Sequence, residues 1–170
     1  MSASLGQMTT RTVDVERWEW TSRRDFTRVL HALHLGLGRP DFAEFDRTID
    51  EISDWTMYTR AVEKVAGNSG LIVFLELDIG SVISRDPDAK PYRAVRIIAG
   101  NPVTMESMTR SSPAAGALAP ITVLLFETAD GVHLRYDTVS SSAAGELSEE
   151  AATVAQRLDE SVKSLIDSAV

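Results

Sequence analysis

The chain has no cysteine, and this absence excludes several kinds of site at once. None of its 170 residues carries a thiol, so disulfides, thiolate nucleophiles and cysteine-ligated zinc or iron–sulfur sites are all excluded. Long apolar runs are also missing, because runs such as Leu71–Leu75 are far too short to cross a bilayer. The first ten residues lack the basic start and apolar stretch of a signal peptide. We therefore expect a cytoplasmic protein that does not bind membranes.

Basic residues are few and scattered. The 17 lysines and arginines are outnumbered by 25 acidic residues, which gives a net charge of −8, and Arg23–Arg24 is the only adjacent basic pair. This charge disfavours binding to nucleic acids. The glycine motifs of nucleotide sites, the nucleophile elbow and the His-Glu-x-x-His motif are missing as well. The sequence therefore predicts no nucleic-acid partner, no metal and no cofactor.

The size and composition indicate one globular domain over residues 1–170. With 44% hydrophobic and 25% charged residues, the chain resembles an ordinary soluble protein with a substantial core. We expect residues 1–10 to be flexible. Ser148 is a good N-cap, and an apolar stripe follows it from Ala151 to Ala169, which predicts a C-terminal helix over residues 147–169.

Hydrophobic periodicity predicts the remaining elements. Alternation over Thr12–Trp20 indicates a strand, and helical spacing follows it up to Gly36 and again, in a broken segment, from Phe42 to Val65. Leu71–Asp78 and Tyr92–Ala99 read as strands, and Asn101 opens a short helix. The loop predicted between these two strands runs from Gly80 to Pro91.

Two further strands, over residues 121–128 and 132–138, flank Asp130–Gly131, a strong hairpin signal. A two-residue turn at that dipeptide predicts that Leu125 faces Tyr136. The element order is β-α-α-β-β-α-β-β-α. It predicts an α+β fold of two layers, with about five strands in a mixed or mainly antiparallel sheet and helices packed on one face.

A set of motifs between residues 71 and 137 resembles the family named domain of unknown function 302. They are, in order, Asp78, Gly80, Lys90, Gly100-Asn101-Pro102, Met105, Met108, Pro120, Asp130-Gly131 and Tyr136-Asp137. The resemblance implies a compact α+β domain that associates with itself. It implies no activity and therefore assigns no catalytic residue.

Two acidic residues form the first candidate site. Glu76 and Asp78 point to the same side at the end of an apolar strand, and paired carboxylates can divide acid and base roles or hold a hard cation. The alternative, which we favour, is a solvated strand end paired with Arg93, Arg96 or Arg135.

Asn101 and Thr104 form a second candidate, because a helix N-terminus can hold a carboxylate or phosphate. The alternative is that Asn101 caps its own helix. Tyr136 would either donate a hydrogen bond into a pocket or lie in the core with one partner. His31 and His34 are spaced to reach one metal ion, although a polar helix face is the interpretation we favour.

Trp18, Trp20 and Trp55 form a conspicuous aromatic group. Interface, pocket and core roles are equally compatible with their types. The hypothesis with most support is a small-ligand-binding or self-associating domain, a homodimer without a cofactor. The alternatives are a cofactor-free enzyme that uses carboxylate acid/base chemistry on a small molecule, and a module that binds a protein partner through the tryptophans.

Overall fold

The computed structural model describes residues 6–170 and contains a five-stranded sheet. The strands are β1 (Arg17–Ser22), β2 (Ile72–Asp78), β3 (Ala94–Gly100), β4 (Ile121–Thr128) and β5 (Gly131–Asp137). Their order across the sheet is β1-β5-β4-β3-β2, and all four neighbouring pairs are antiparallel. The predicted α+β fold is confirmed, with a sheet whose strand pairs are antiparallel throughout.

The described part of the chain also contains seven α-helices. They are α1 (Phe26–Gly36), α2 (Phe42–Asp50), α3 (Trp55–Val65), α4 (Ile79–Ile83), α5 (Pro102–Thr109), α6 (Val139–Ser142) and α7 (Glu149–Ala169), with a 3₁₀ helix at Pro113–Ala117. None of the helices within residues 6–170 has both the length and the apolar character needed to cross a membrane. The flexibility predicted for residues 1–10 falls in part on Met1–Leu5, which lie outside the described residues.

Polar side chains at the N-termini fix where most of these helices begin. Each capping side chain accepts at least one of the free amides in the first turn of its helix. The capping residues are Asp25, Asp41, Asp54, Asp78, Asn101 and Ser148. The cap at Asp78 begins α4 inside the segment predicted as a loop, because its carboxylate supplies the acceptor that starts a turn.

One face of the sheet forms the core. Helices α1, α5 and α7 pack on this face, where alternate strand residues are buried together with Leu33, Met108 and Val162 from the helices. The buried strand residues are Val95, Ile97, Ala99, Ile121, Val123, Leu125, Val132, Leu134 and Tyr136.

The opposite side of the sheet, called the open face from here on, is not covered by these three helices. Its side chains are half-buried or exposed and come from all five strands: Arg17, Glu19, Leu75, Leu77, Arg96, Ile98, Thr122, Leu124, Phe126, His133, Arg135 and Asp137. A register shift between Val73 and Leu75 brings Leu75 and Leu77 onto this face.

Two predicted details were wrong. Strand β1 begins at Arg17 rather than Thr12, because β5 ends at Asp137 and leaves the preceding residues without a strand partner. In the hairpin, Leu125 faces Leu134 instead of Tyr136. Gly131 lies within β5 opposite Thr128, and a Cβ there would lie 2.7 Å from the carbonyl oxygen of Ser22. Glycine is needed at that position for the close approach of β1.

Candidate functional site

The five residues predicted to bind a ligand do not come together in one site. Strands β2 and β3 are antiparallel, with Asp78 opposite Val95 and Ile72 opposite Gly100. Asp78 and Asn101 therefore lie at opposite ends of this strand pair, roughly 20 Å apart at the usual rise per residue.

Asp78 and Asn101 both cap helices. The Asp78 carboxylate accepts from the Ser81 amide at 2.8 Å. The Asn101 side chain accepts from the amides of Val103 at 2.8 Å and Thr104 at 3.3 Å, and donates to the carbonyl of Gly70 at 2.8 Å. These hydrogen bonds occupy the side-chain oxygens and backbone amides that a ligand would need. The binding roles of Asp78, Asn101 and Thr104 stay predictions.

Tyr136 lies in the core with its hydroxyl bonded. It is 1% exposed and donates to Oδ1 of Asp159 at 2.6 Å. The same carboxylate accepts from the amides of Val139 at 2.8 Å and Ser140 at 3.0 Å, so it supplies the acceptors for the first turn of α6. Burial, together with the Asp159 carboxylate, raises the pKa of Tyr136 well above its usual value.

Glu76 is paired with a histidine that the sequence did not connect to it. Its carboxylate oxygen lies 2.7 Å from Nε2 of His34, and Nη1 of Arg39 lies 3.2 Å from Nδ1 of the same ring. Within residues 6–170, no group of three or more histidines and acidic residues is arranged to hold a metal ion.

The three tryptophans lie on two separate elements, Trp18 and Trp20 on β1 and Trp55 on α3. Trp18 and Trp20 on β1 are half-buried against the core, with their rings edge-on at 6.2 Å. Their Nε1 groups donate to Glu16 and Asp167, both at 2.8 Å. Trp55 on α3 is 50% exposed and stacks on Tyr58 at 5.4 Å. An interface role for each tryptophan stays a prediction.

The open face carries an arrangement that the sequence analysis did not select. Leu124 lies between Arg96 on β3 and Arg135 on β5, directly opposite both in the strand registers, so each arginine Cα is about 5 Å from that of Leu124. Arg135 donates to Glu19 at 2.9 and 2.6 Å. Arg96, by contrast, forms no ion pair or hydrogen bond within the described part of the chain.

Two adjoining cavities lie on this face, with volumes of about 430 and 940 Å³. Both are lined by Ile79 from α4, Leu124 and Arg135. The smaller also touches Arg96 and Leu118, and the larger touches Lys90, Tyr92 and Phe126. We call the two together the open-face groove. Its floor is apolar, and cationic side chains stand along it.

One signal in the sequence could have indicated the groove. An antiparallel sheet with one solvated face usually alternates apolar and polar residues, yet the run Val123-Leu124-Leu125-Phe126 is apolar on both faces of β4. The outward-facing members, Leu124 and Phe126, form part of the groove floor. The sequence alone does not show which face of the sheet the helices cover and which face they leave open.

Comparisons with known proteins agree on the family and the fold. The family model described as Domain of unknown function DUF302 matches residues 45–165. The crystal structure of an uncharacterized conserved DUF302 protein from Bacillus stearothermophilus aligns with a TM-score of 0.63 at 7% identity, covering 91% of this chain and 98% of that chain. At this identity the likeness shows the fold alone. The comparison with curated proteins found no match.

Proposed function

Because this chain belongs to the DUF302 family, whose name assigns no activity, we propose a function from its own geometry: the open-face groove binds a small organic anion that has an apolar body. One observation carries the proposal. Arg96 stands on the open face beside Leu77 and Leu124, without a charged partner among the described residues.

The shape and size of the groove suit a small molecule. Its two parts measure about 430 and 940 Å³, within the usual range for ligand sites, which are mostly apolar with a few polar groups. Phe126 and Tyr92 offer aromatic surface to the body of the ligand. A carboxylate, sulfonate or phosphate would meet the guanidinium of Arg96, which can donate two parallel hydrogen bonds.

The charge balance of the groove favours an anion. Two acidic residues also line it, but Asp137 is held by Arg17 and Glu127 lies 4.0 Å from Arg93. Lys90 and Arg96 have no ion pair among the described residues, so the uncompensated charge of the groove is positive. This local charge is opposite in sign to the net charge of −8 on the whole chain, and it would attract an anionic ligand to this face.

The proposal assigns no reaction to the groove. The carboxylates predicted for acid/base chemistry, Glu76 and Asp78, are bonded to His34 and to the Ser81 amide, and their side chains belong to the core side of β2. A homodimer and a cytoplasmic location are kept as predictions, and binding in the groove requires neither.

A pair of fluorescent dyes tests the proposal. 1-Anilinonaphthalene-8-sulfonate has an apolar body and one sulfonate, and N-phenyl-1-naphthylamine has the same body without the charge. We expect saturable binding of the sulfonate dye and about tenfold weaker binding to Arg96→Gln, since a charge-assisted hydrogen bond contributes about 1.5–3 kcal/mol. The neutral dye should bind the wild type and this variant equally.

The matched control is Arg60→Gln, which removes one positive charge at an exposed position on α3. If Arg60→Gln weakened the sulfonate dye as much as Arg96→Gln did, the effect would be one of net charge and the groove assignment would fail. If both dyes bound the wild type with equal affinity, the apolar floor would be real but the preference for anions would be wrong.

A further inference from the structure

The two parts of the open-face groove each present one cation that has no ion-pair partner within the described part of the chain. Arg96 lines only the smaller cavity, and Lys90 lines only the larger one. Leu124 and Arg135 line both cavities and so connect them. Arg135 is not a third free cation, because it donates to Glu19 at 2.6 Å.

The acidic side chains of the groove are held by other arginines. In the smaller cavity, Asp137 accepts from Arg17 at 2.8 Å. In the larger cavity, Glu127 lies 4.0 Å from Arg93. Each cavity therefore has one uncompensated positive charge, and the two charges are distributed along the groove instead of being gathered at one point.

The strand register separates the two cations along the groove. Arg96 lies opposite Leu124 on β4. The amide of Glu127 donates to the carbonyl of Arg93 at 2.9 Å, so the pairing of the two chains continues before the start of β3. Arg93 is therefore about 10 Å from Arg96 along the strand, and Lys90 precedes it in a segment without helix or turn. This spacing suits two anionic groups better than one.

The surface between the two cations is apolar and aromatic. Leu124 and Phe126 follow one another on the open face of β4, and Tyr92 lines the same cavity as Phe126. Tyr92 is 47% exposed, so it offers aromatic surface that a ligand could cover. An apolar body lying on these three side chains would remove them from water, which is favourable in proportion to the area covered.

We propose that the open-face groove recognises an elongated organic dianion, with one acidic group at Arg96, the other at Lys90 and the apolar body between them. The inference rests on the proposed function and narrows its ligand to a molecule with an acidic group at each end. The two ends of the site differ. The guanidinium of Arg96 can donate two parallel hydrogen bonds to a carboxylate, whereas the ammonium of Lys90 acts as a point charge.

Isothermal titration calorimetry with two ligands of equal length tests this arrangement. Decanedioate has a carboxylate at each end, and its monoamide has one carboxylate and one neutral amide. We expect the diacid to bind about three- to fivefold more tightly than the monoamide, since an exposed charge pair contributes up to about 1 kcal/mol. Lys90→Gln should abolish this advantage and leave binding of the monoamide unchanged. Arg96→Gln should weaken both ligands.

Two controls separate the spacing from the charge. Lys64→Gln removes one positive charge at an exposed position on α3 and should leave the advantage of decanedioate intact. Hexanedioate has too short a chain to span the two cations, so it should bind no more tightly than its own monoamide. An equal advantage for the shorter diacid would contradict the elongated arrangement.

The remaining outcomes distinguish this inference from the proposed function. If decanedioate and its monoamide bound equally well and Arg96→Gln weakened both, the groove would recognise a single acidic group, so the inference would fail and the proposed function would stand. If Lys64→Gln removed the advantage as fully as Lys90→Gln did, net charge would explain it and the inference would again fail alone. If neither these ligands nor the sulfonate dye bound, both would fail together.

Discussion

Tyr136 and Asp159 are joined by a hydrogen bond of 2.6 Å that is almost wholly removed from solvent, since the two residues are 1% and 3% exposed. Asp159 lies on α7 and Tyr136 on β5. The carboxylate also accepts the amides of Val139 and Ser140, so it connects the sheet, α6 and α7. We infer that this contact fixes the C-terminal helix on the sheet.

Replacing Asp159 by alanine should destabilise the protein much more than replacing Tyr136 by phenylalanine. The first change leaves three donors without an acceptor, and each unsatisfied buried group costs about 1–3 kcal/mol. We expect a loss of about 3–5 kcal/mol for Asp159→Ala and about 1–2 kcal/mol for Tyr136→Phe, measured by urea unfolding. Asp167→Ala, which removes an exposed acceptor from Trp20, is the control; equal losses in all three variants would contradict the assignment.

Alkaline conditions should weaken the fold through Tyr136. The pKa of Tyr136 is raised in the folded protein, so the folded phenol keeps its proton where an unfolded one, with a pKa of about 10, loses it. The stability that Tyr136 contributes through its raised pKa is therefore complete below about pH 10. Above that pH the free energy of unfolding declines by up to about 1.4 kcal/mol per pH unit. Tyr136→Phe should show a correspondingly smaller decline between about pH 9 and 11. Parallel pH profiles would contradict this account.

Gly38 should not tolerate a side chain. A Cβ there would lie 2.0 Å from the carbonyl oxygen of Val65 and 2.8 Å from the amide nitrogen of Gly67, and both are backbone atoms that cannot move independently. We expect Gly38→Ala to lower the free energy of unfolding by more than about 3 kcal/mol. Gly116→Ala, whose Cβ would meet Thr109 at an ordinary 3.6 Å, should change it by less than about 1 kcal/mol. Similar values for the two variants would show that the chain can separate at Gly38.

The ring of His34 should carry its single proton on Nε2 when neutral. Arginine can only donate hydrogen bonds, so the contact from Arg39 requires a bare Nδ1, which leaves Nε2 to donate to Glu76. Long-range ¹⁵N–¹H correlation spectra of the neutral ring report the tautomer directly. Detection of the Nδ1–H form in the wild type would contradict the arrangement, and Arg39→Ala is the variant in which that form should become detectable.

Periodicity was sufficient to predict the five strands and the longer helices, because helices and strands leave different repeats in the sequence, but it did not predict the short helices α4 and α6. The broken helical segment from Phe42 to Val65 is present as α2 and α3, and the cap at Asn101 follows from local chemistry alone. The hairpin register was wrong because Gly131 is required by the approach of Ser22, a residue more than a hundred positions away in the chain.

The candidate site was less accessible to prediction for the same reason. Asp159 meets Tyr136, Glu76 meets His34, and Arg135 meets Glu19 only after the fold has brought distant segments together. The sequence could propose that each of these side chains needs a partner, but not which one. The open face was missed because its exposure depends on where α1, α5 and α7 pack.

The two edges of the sheet are unlike, and this limits how far a sheet can grow. At the β2 edge, Gly38 already pairs with the beginning of the strand, and the irregularity between Val73 and Leu75 interrupts the repeat that an incoming strand would need. Polymerisation by edge addition requires two receptive edges on every molecule. The blocked β2 edge denies the sheet one of these two edges, so this fold carries a built-in protection against fibre formation.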